Sequence, residues 1–190
     1  MRSSRPRQFK ILFAGRLTHA KRCDLLIKAV SELRNRGIDC SLDIVGDGAT
    51  YDENRDLAIR LSIEAHVHFH GALYDDDLVP FFSLSDVFVI PGKVGLSIVH
   101  ALSYGLPIIT SDADIHSPEV AIVKAGVNGA FFENLSLTSL TDVLAYWHIK
   151  LANDNHGLKQ RIQKTVVAAG YTPDQMAKTF LNHFNRMTDV

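Results

Sequence analysis

The stretch VFVIPGKVGLSIVHALSYGLPIITSD, residues 87–112, predicts a strand–helix–strand unit. Its two apolar ends, residues 87–92 and 107–112, have the length of buried strands. The middle, residues 95–104, has the composition of a small-residue helix and is followed by Gly105, a common helix stop. Because both predicted strands are continuous apolar runs, the unit predicts parallel strands that helices cover on both faces.

The same alternation of strand and helix extends outward from this unit. Four more short apolar runs predict strands at residues 10–15, 41–48, 67–71 and 129–132. Helical segments are predicted at residues 21–36, 51–65, 73–83 and 118–124, and further helices follow residue 135, with breaks near residues 153–157 and 170–173. This order predicts an α/β fold: a Rossmann-like, doubly wound parallel sheet of about six strands with helices on both faces.

Composition excludes several classes of protein. The 190 residues carry 20 Lys+Arg and 21 Asp+Glu, and a formal net charge of -1 does not favour a general nucleic-acid binder. Hydrophobic residues make up 46% of the chain, enough for a folded core. The 2 cysteines are too few for a disulfide framework, and no apolar run has the length of a membrane span. We therefore expect a reduced, cytoplasmic protein.

The chain is predicted to form one domain, residues 9–190, behind a short tail or linker, residues 1–8. The tail, MRSSRPRQ, is basic and polar and lacks the apolar run of a signal peptide. A solvated end is the ordinary interpretation of such a segment, and contact with anionic lipid is the alternative.

In doubly wound sheets, ligands bind beyond the carboxyl ends of the strands. After the first strand, Gly15 permits close backbone approach, and Arg16 and Lys21 flank a helix start. Two cations at such a place favour a phosphate or diphosphate, with two solvated side chains as the alternative. After the fourth strand, residues 92–96 bring two glycines to another helix start, which predicts a second anion-accepting loop.

Other candidates are less specific. His100, on the helix after the fourth strand, is either a core residue or a pocket residue, and Glu119 suits the start of a short helix. After the third strand, Phe69 has the character of a core residue, whereas His70 and Gly71 are candidates for lining a pocket. The histidines lack metal-ligand spacing, so no metal site is expected. The P-loop, dinucleotide and Gly-x-Ser-x-Gly motifs are absent from the sequence.

Taken in order, five segments resemble one family: FAGRLTHAKRCDLLIKAV, LDIVGDG, VHFHGALYDDDLVPFFSLSDVFVIPG, GLSIVHALSYGLPIIT and PEVAIVKAGVNGAFF. Their order and spacing resemble the C-terminal half of a GT-B glycosyltransferase of the retaining family 4 type. The resemblance covers about residues 9–132. It implies one half of a GT-B fold, the half that binds the nucleotide-sugar donor.

The resemblance also implies roles for particular residues. Arg16 and Lys21 correspond to the cations that hold the donor diphosphate and act in catalysis. Glu119 corresponds to a glutamate that approaches the sugar or phosphate, with a role at the helix start as its alternative. The diphosphate and sugar contacts of the family correspond to Gly15, Gly92, Lys93, Val94, Gly95 and Leu96. The ribose contact corresponds to His100. The base contacts correspond to Phe69, His70, Gly71 and Leu73.

Two departures from the family pattern concern a pair of glutamates separated by seven residues. The second glutamate, which contacts ribose in the family, is His100 here, and an imidazole can also exchange hydrogen bonds with a hydroxyl. The first, which contacts the donor sugar, is Gly92, which has no side chain for that purpose.

The resemblance implies a donor-binding domain that takes a UDP- or GDP-linked sugar for transfer to a hydroxyl acceptor, in glycan or polysaccharide biosynthesis, without a metal or cofactor. The acceptor-binding N-terminal domain of the family is absent from the sequence, so we expect the fragment alone to be inactive. The full-length enzyme would be cytoplasmic, with peripheral contact at the inner face of the membrane. A non-catalytic nucleotide-binding or interaction module that kept the fold is the alternative, and a sugar-nucleotide epimerase fits the Arg16/Lys21 spacing less well.

Overall fold

The computed structural model describes residues 7–154 and 157–171. Six parallel strands form one sheet in the order β3-β2-β1-β4-β5-β6. The strands are β1 (Phe9–Ala14), β2 (Cys40–Val45), β3 (Val67–Phe69), β4 (Val87–Ile90), β5 (Ile108–Ser111) and β6 (Gly129–Phe132). The helices are α1 (Cys23–Asn35), α2 (Tyr51–Arg60), α3 (Val79–Leu84), α4 (Ser97–Ser103), α5 (Leu137–Ala152) and α6 (Leu158–Ala168).

The predicted doubly wound sheet of about six strands is confirmed, and the differences from the sequence-based elements lie in the helices. α2 ends at Arg60, five residues before the predicted end, because Ser62 adopts a left-handed conformation with φ 55°. The predicted helix at residues 73–83 divides into a 3-10 turn, Asp75–Leu78, and α3. The segment predicted at residues 118–124 is a 3-10 helix, Pro118–Ile122. Most of the predicted tail and the end of the chain lie outside the described residues.

The helices bury apolar faces against the sheet. In α1, Leu26, Val30 and Leu33 recur at helical spacing and are fully buried, whereas Lys28 on the other side is exposed. The helix stops before Gly37, whose φ of 80° suits glycine. α1 packs against α2 and α5, and α4 packs against α6, which gives two groups of helices around the sheet. No helix in the described ranges is long and apolar enough to cross a bilayer.

The strand order places the loops that matter most. β1 and β4 are neighbours at the centre of the sheet, and the chain winds outward from them in opposite directions. At such a switch point the loops that follow the two strands diverge and leave a crevice at the carboxyl edge of the sheet. We call residues 15–22 the β1–α1 loop and residues 91–96 the β4–α4 loop.

Candidate functional site

A cleft of about 520 Å³ opens at the carboxyl edge of the sheet, a volume typical of small-molecule sites. It lies over the ends of the first three strands and beside the start of α4. Apolar and polar side chains share its wall, which suits a ligand with one flat apolar part and one charged part. The lining residues are Ala14, Gly15, Arg16, Val45, Gly46, Asp47, Ala72, Leu73, Tyr74, Leu78, Phe82, Ser97 and His100.

Two glycines after β2 let that strand's loop lie directly on the β1–α1 loop. A Cβ on Gly46 would stand 2.0 Å from the carbonyl oxygen of Gly15, and a Cβ on Gly48 would stand 2.3 Å from that of Leu17. The sequence predicts close backbone approach at Gly15. A Cβ on Gly15, however, would meet no atom within 4 Å. The crowding is therefore on the facing glycine, Gly46. Asp47 holds the turn between these glycines, with its Oδ1 accepting from Gly48 N at 2.7 Å.

The β4–α4 loop contacts the β1–α1 loop from the other side. Gly92 N donates to Lys21 O at 3.0 Å, and Lys93 N donates to Ala20 O at 2.8 Å. A Cβ on Gly92 would stand 2.0 Å from Ala20 O, so only glycine fits this contact. Lys21 Nζ donates in turn to Lys93 O at 2.6 Å. The β1–α1 loop is thus held between its two neighbours by backbone contacts on both sides.

Positive charge gathers at these loops. Arg16 is exposed, lines the cleft and has no hydrogen bond or ion pair with any residue in the described part of the chain. Lys21 lies outside the cleft lining, and its partial burial, together with the charge of Lys93 nearby, lowers the pKa of Lys21. Lys21 and Lys93, on two adjoining loops, repel each other, and an anion bound between them would relieve that repulsion.

His100 and Leu73 line the cleft from opposite sides. His100 is an exposed residue on α4, and its ring stands edge-on to Phe82 with centroids 6.3 Å apart. His100 is therefore not a core residue, and it lies in the lining of the cleft, while its contact with ribose stays a prediction. Tyr74 and Phe82 line the cleft as well, and apart from their aromatic character no sequence pattern marks them as pocket residues.

Three of the residues assigned to the base lie beside the cleft rather than in its wall. Phe69 packs its ring on Tyr51, with centroids 5.4 Å apart. His70 Nε2 lies 2.7 Å from Asp43 Oδ1. Gly71 offers its carbonyl oxygen to Gly46 N at 2.7 Å. His70 and Gly71 are not part of the lining of this cleft, because the chain turns at Gly71 and presents residues 72–74 to it.

The segment after β5 reaches the β4–α4 loop. Val94 N donates to His116 Nδ1 at 3.3 Å, and His116 Nε2 lies 2.8 Å from Ser111 O. Glu119 is half-buried in the next 3-10 helix and lies outside the cleft lining. Its Oε2 is buried and has no hydrogen-bond partner among the described residues. Sequence reasoning missed His116, because a single histidine in a loop carries no pattern.

Metal ligands are not grouped in the part of the chain that the structure describes, where no three His, Cys, Asp or Glu side chains are placed to hold an ion. A diphosphate is the chemistry that fits the arrangement best. Arg16 lines the cleft together with the aromatic side chains of Tyr74 and Phe82. Lys21 and the amides of residues 92–96 belong to the two adjoining loops and lie outside the lining.

The comparison with protein families agrees with this class of site. The family model "Glycosyl transferases group 1" matches residues 2–165, and the chain belongs to that family. Its fold is that of the C-terminal domain of GT-B glycosyltransferases.

Individual relatives are moderately similar. An uncharacterized glycosyltransferase of Methanocaldococcus jannaschii is 29% identical over 178 residues, which cover 90% of this chain and 43% of the relative. A GDP-mannose-dependent alpha-(1-6)-phosphatidylinositol monomannoside mannosyltransferase of Mycolicibacterium smegmatis is 29% identical over 147 residues, 71% of this chain and 38% of the relative. The chain therefore spans less than half the length of these curated relatives.

Among solved structures, the pneumococcal O-GlcNAc transferase GtfA, in complex with UDP and GlcNAc, superposes with a TM-score of 0.76 at 19% identity. The match covers 94% of this chain and 35% of the transferase. At that identity the likeness concerns the fold.

Proposed function

We propose that this chain binds the nucleoside-diphosphate sugar donor of a retaining glycosyltransferase, with the diphosphate at the β1–α1 and β4–α4 loops. The observation that carries the proposal is Arg16, an exposed guanidinium without a partner in the described part of the chain, at the mouth of a cleft of about 520 Å³. A planar guanidinium with free donors matches the geometry of phosphate oxygens.

The chemistry follows from where charge develops. When the bond from the sugar to the diphosphate breaks, negative charge grows on the leaving diphosphate. Arg16, Lys21 and the amides of Gly95 and Leu96 would stabilise that charge, each donor contributing about 3–4 kcal/mol to the transition state. In this proposal the cations take the place that a divalent metal holds in other transferases, so no metal or cofactor is required.

Ribose and base would occupy the rest of the cleft. His100 would exchange a hydrogen bond with a ribose hydroxyl, and the base would lie against Leu73, close to Tyr74 and Phe82. The donor nucleotide is UDP or GDP. The UDP in the structure of the pneumococcal transferase supports the first choice, and the GDP-mannose dependence of the mycobacterial relative supports the second.

The acceptor side is proposed to come from a second domain. The chain spans less than half the length of the curated relatives, and its cleft opens at the edge of the sheet. We expect the 190-residue chain to bind donor and to transfer nothing by itself. In the complete enzyme, transfer to a hydroxyl would serve glycan or polysaccharide synthesis on the cytoplasmic side of the membrane.

One observation favours a second candidate, a nucleotide-binding module without catalysis. The position at which the resemblance places a sugar-binding glutamate is Gly92, where a side chain has no room against Ala20 O. Such a module would bind the nucleoside diphosphate as tightly as its sugar conjugate. A transferase domain would bind the conjugate with a measurable sugar preference.

The test is calorimetric titration of the chain with UDP, GDP, ADP and CMP and with the matching sugar conjugates. Arg16→Ala should weaken binding of the preferred diphosphate by about tenfold to a hundredfold, the range for a charge-assisted hydrogen bond. Arg7→Ala is the matched control, because Arg7 lies just before the other end of β1 and pairs with Asp86.

Equal losses in the two variants, or no nucleotide binding at millimolar concentration, would contradict the donor-domain proposal. Equal affinities for the diphosphate and all its sugar conjugates would favour the non-catalytic module.

A further inference from the structure

His116 connects the end of β5 to the β4–α4 loop through its two ring nitrogens. It lies in the loop after β5, five residues beyond Ser111, and its ring reaches across to the β4–α4 loop. One ring nitrogen lies 2.8 Å from Ser111 O and the other lies 3.3 Å from Val94 N. A ring held at both nitrogens has a fixed orientation, and it fixes what it contacts.

The two partners determine the protonation of the ring. A carbonyl oxygen only accepts, so Nε2 must carry a hydrogen and donate to Ser111 O. A backbone N–H only donates, so Nδ1 must be unprotonated to accept from Val94. The contact therefore requires the neutral Nε2–H tautomer. The imidazolium and the Nδ1–H tautomer would each place an N–H against the N–H of Val94.

This contact falls on the part of the β4–α4 loop that is otherwise least anchored. The loop is attached to the β1–α1 loop through Gly92 and Lys93 only. From residue 94 to residue 96, the bond from Val94 to His116 is the single hydrogen bond to any described element outside α4. The Val94 side chain is buried, and Gly95 has no atom within 4 Å of its Cβ position.

We propose that His116 is a positioning residue: by accepting from Val94 N, it holds the β4–α4 loop so that the amides of Gly95 and Leu96 face the donor diphosphate. This inference rests on the proposed function of that loop. His116 itself is not proposed to touch the donor. Its effect on binding would come from preorganisation, since a loop that is already ordered loses less entropy when the ligand arrives.

The first test observes the contact without any ligand. Nitrogen-15 chemical shifts of the imidazole at neutral pH should report the neutral Nε2–H tautomer. The Val94 amide should exchange with solvent about tenfold faster in His116→Ala than in the unaltered chain, because its acceptor is gone. An Nδ1–H tautomer, an imidazolium at neutral pH, or unchanged exchange at Val94 would overturn the inference.

The second test separates the two hydrogen bonds with conservative variants. In His116→Asn, the amide oxygen replaces Nδ1 and can accept from Val94, whereas in His116→Gln the amide nitrogen replaces Nε2 and can donate to Ser111 O. We expect affinity for the preferred nucleoside diphosphate to fall about tenfold in His116→Ala and His116→Gln and to be largely restored in His116→Asn. A merely structural histidine would show no such rescue by asparagine alone.

Melting temperatures accompany each titration, and His68→Ala, which removes an exposed histidine on β3, is the control. Unchanged affinity in His116→Ala, or equal loss in the Asn and Gln variants, would overturn the inference while leaving the proposed function intact. Failure of the unaltered chain to bind any nucleotide would instead contradict the proposed function, and with it the effect on donor binding.

Discussion

The two edges of the sheet differ in how their positive charges are paired. At the amino edge, Arg7 forms an ion pair of 2.6 Å with Asp86, and Arg34 bonds to Asp39 at 3.3 Å and to Cys40 O at 2.9 Å. At the carboxyl edge, Arg22 pairs with Asp24 at 3.0 Å, whereas Arg16 and the side chain of Lys93 have no ionic partner in the described part of the chain. Lys21 bonds to a carbonyl oxygen only.

This difference separates stability from binding. The paired charges at the amino edge connect the ends of strands and loops. At the carboxyl edge, partial burial and then the nearby charge of Lys93 lower the pKa of Lys21, which is a cost to the free protein. A bound diphosphate would remove that cost. The free energy that the unpaired cations cost the folded chain would then favour binding. If the two edges are independent, a change at one edge should leave the property of the other edge unaltered.

The largest effect is expected for Gly92→Ala at the carboxyl edge. The added Cβ would stand 2.0 Å from Ala20 O, so the β1–α1 and β4–α4 loops must separate and the two hydrogen bonds between them must lengthen. We expect the free energy of unfolding to fall by about 2–3 kcal/mol, the usual cost of overpacking, and nucleotide affinity to fall with it. Urea denaturation and titration calorimetry measure the two quantities.

The control is Gly95→Ala in the same loop, because a Cβ there would meet no atom within 4 Å. Its stability should stay within about 1 kcal/mol of the unaltered chain. Similar losses in the two variants would show that the loop tolerates no alanine, for reasons other than contact with Ala20.

The fold was largely predictable from sequence because each strand is a short continuous apolar run. The run at residues 87–92 and the helix after it identify a parallel unit before any topology is known. The ends of the helices were harder to predict from sequence than the strands. The stop of α2 depends on Ser62 adopting φ 55°, a conformation that serine rarely takes and that no sequence pattern signals.

The site was predictable only where single residues matched a resemblance. Arg16 and His100 line the cleft, and their contacts with diphosphate and ribose stay predictions. The need for glycine at Gly46 and Gly92 was not visible, because it comes from backbone atoms of a loop more than 25 residues away in sequence. His116 was not predicted for the same reason: its partners, Val94 and Ser111, lie on two other segments.

A smaller effect is expected for Asp86→Ala at the amino edge. Asp86 accepts from Lys10 N at 2.8 Å and from Arg7 at 2.6 Å, and its side chain is only 18% exposed. Losing these bonds should lower the free energy of unfolding by about 1–2 kcal/mol, with nucleotide affinity unchanged within about twofold. Asp142→Ala, which breaks an ion pair whose aspartate is 60% exposed, is the control and should cost under about 0.5 kcal/mol. A clear loss of nucleotide affinity in Asp86→Ala would show that the amino edge affects binding at the carboxyl edge.

The smallest effect uses the two cysteines as reporters, one at each edge. Cys23 begins α1 directly after the β1–α1 loop, and Cys40 begins β2 at the amino edge. A helix start usually lowers the pKa of a thiol, but full burial outweighs that effect and raises the pKa of Cys23. Burial also raises the pKa of Cys40, to about 11. Both thiols are therefore protonated at pH 7 to 8, and modification requires the chain to open.

Nucleotide should protect one thiol more than the other. With the preferred diphosphate at about five times its Kd, local opening of the β1–α1 loop is suppressed about sixfold, and modification of Cys23 should slow by that factor. Modification of Cys40 should change by less than about twofold if the amino edge opens on its own. Mass spectrometry of the two cysteine-containing peptides distinguishes the sites. Equal protection of both thiols would mean that the two edges open together. The edges would then differ in how their charges are paired but not in how they open.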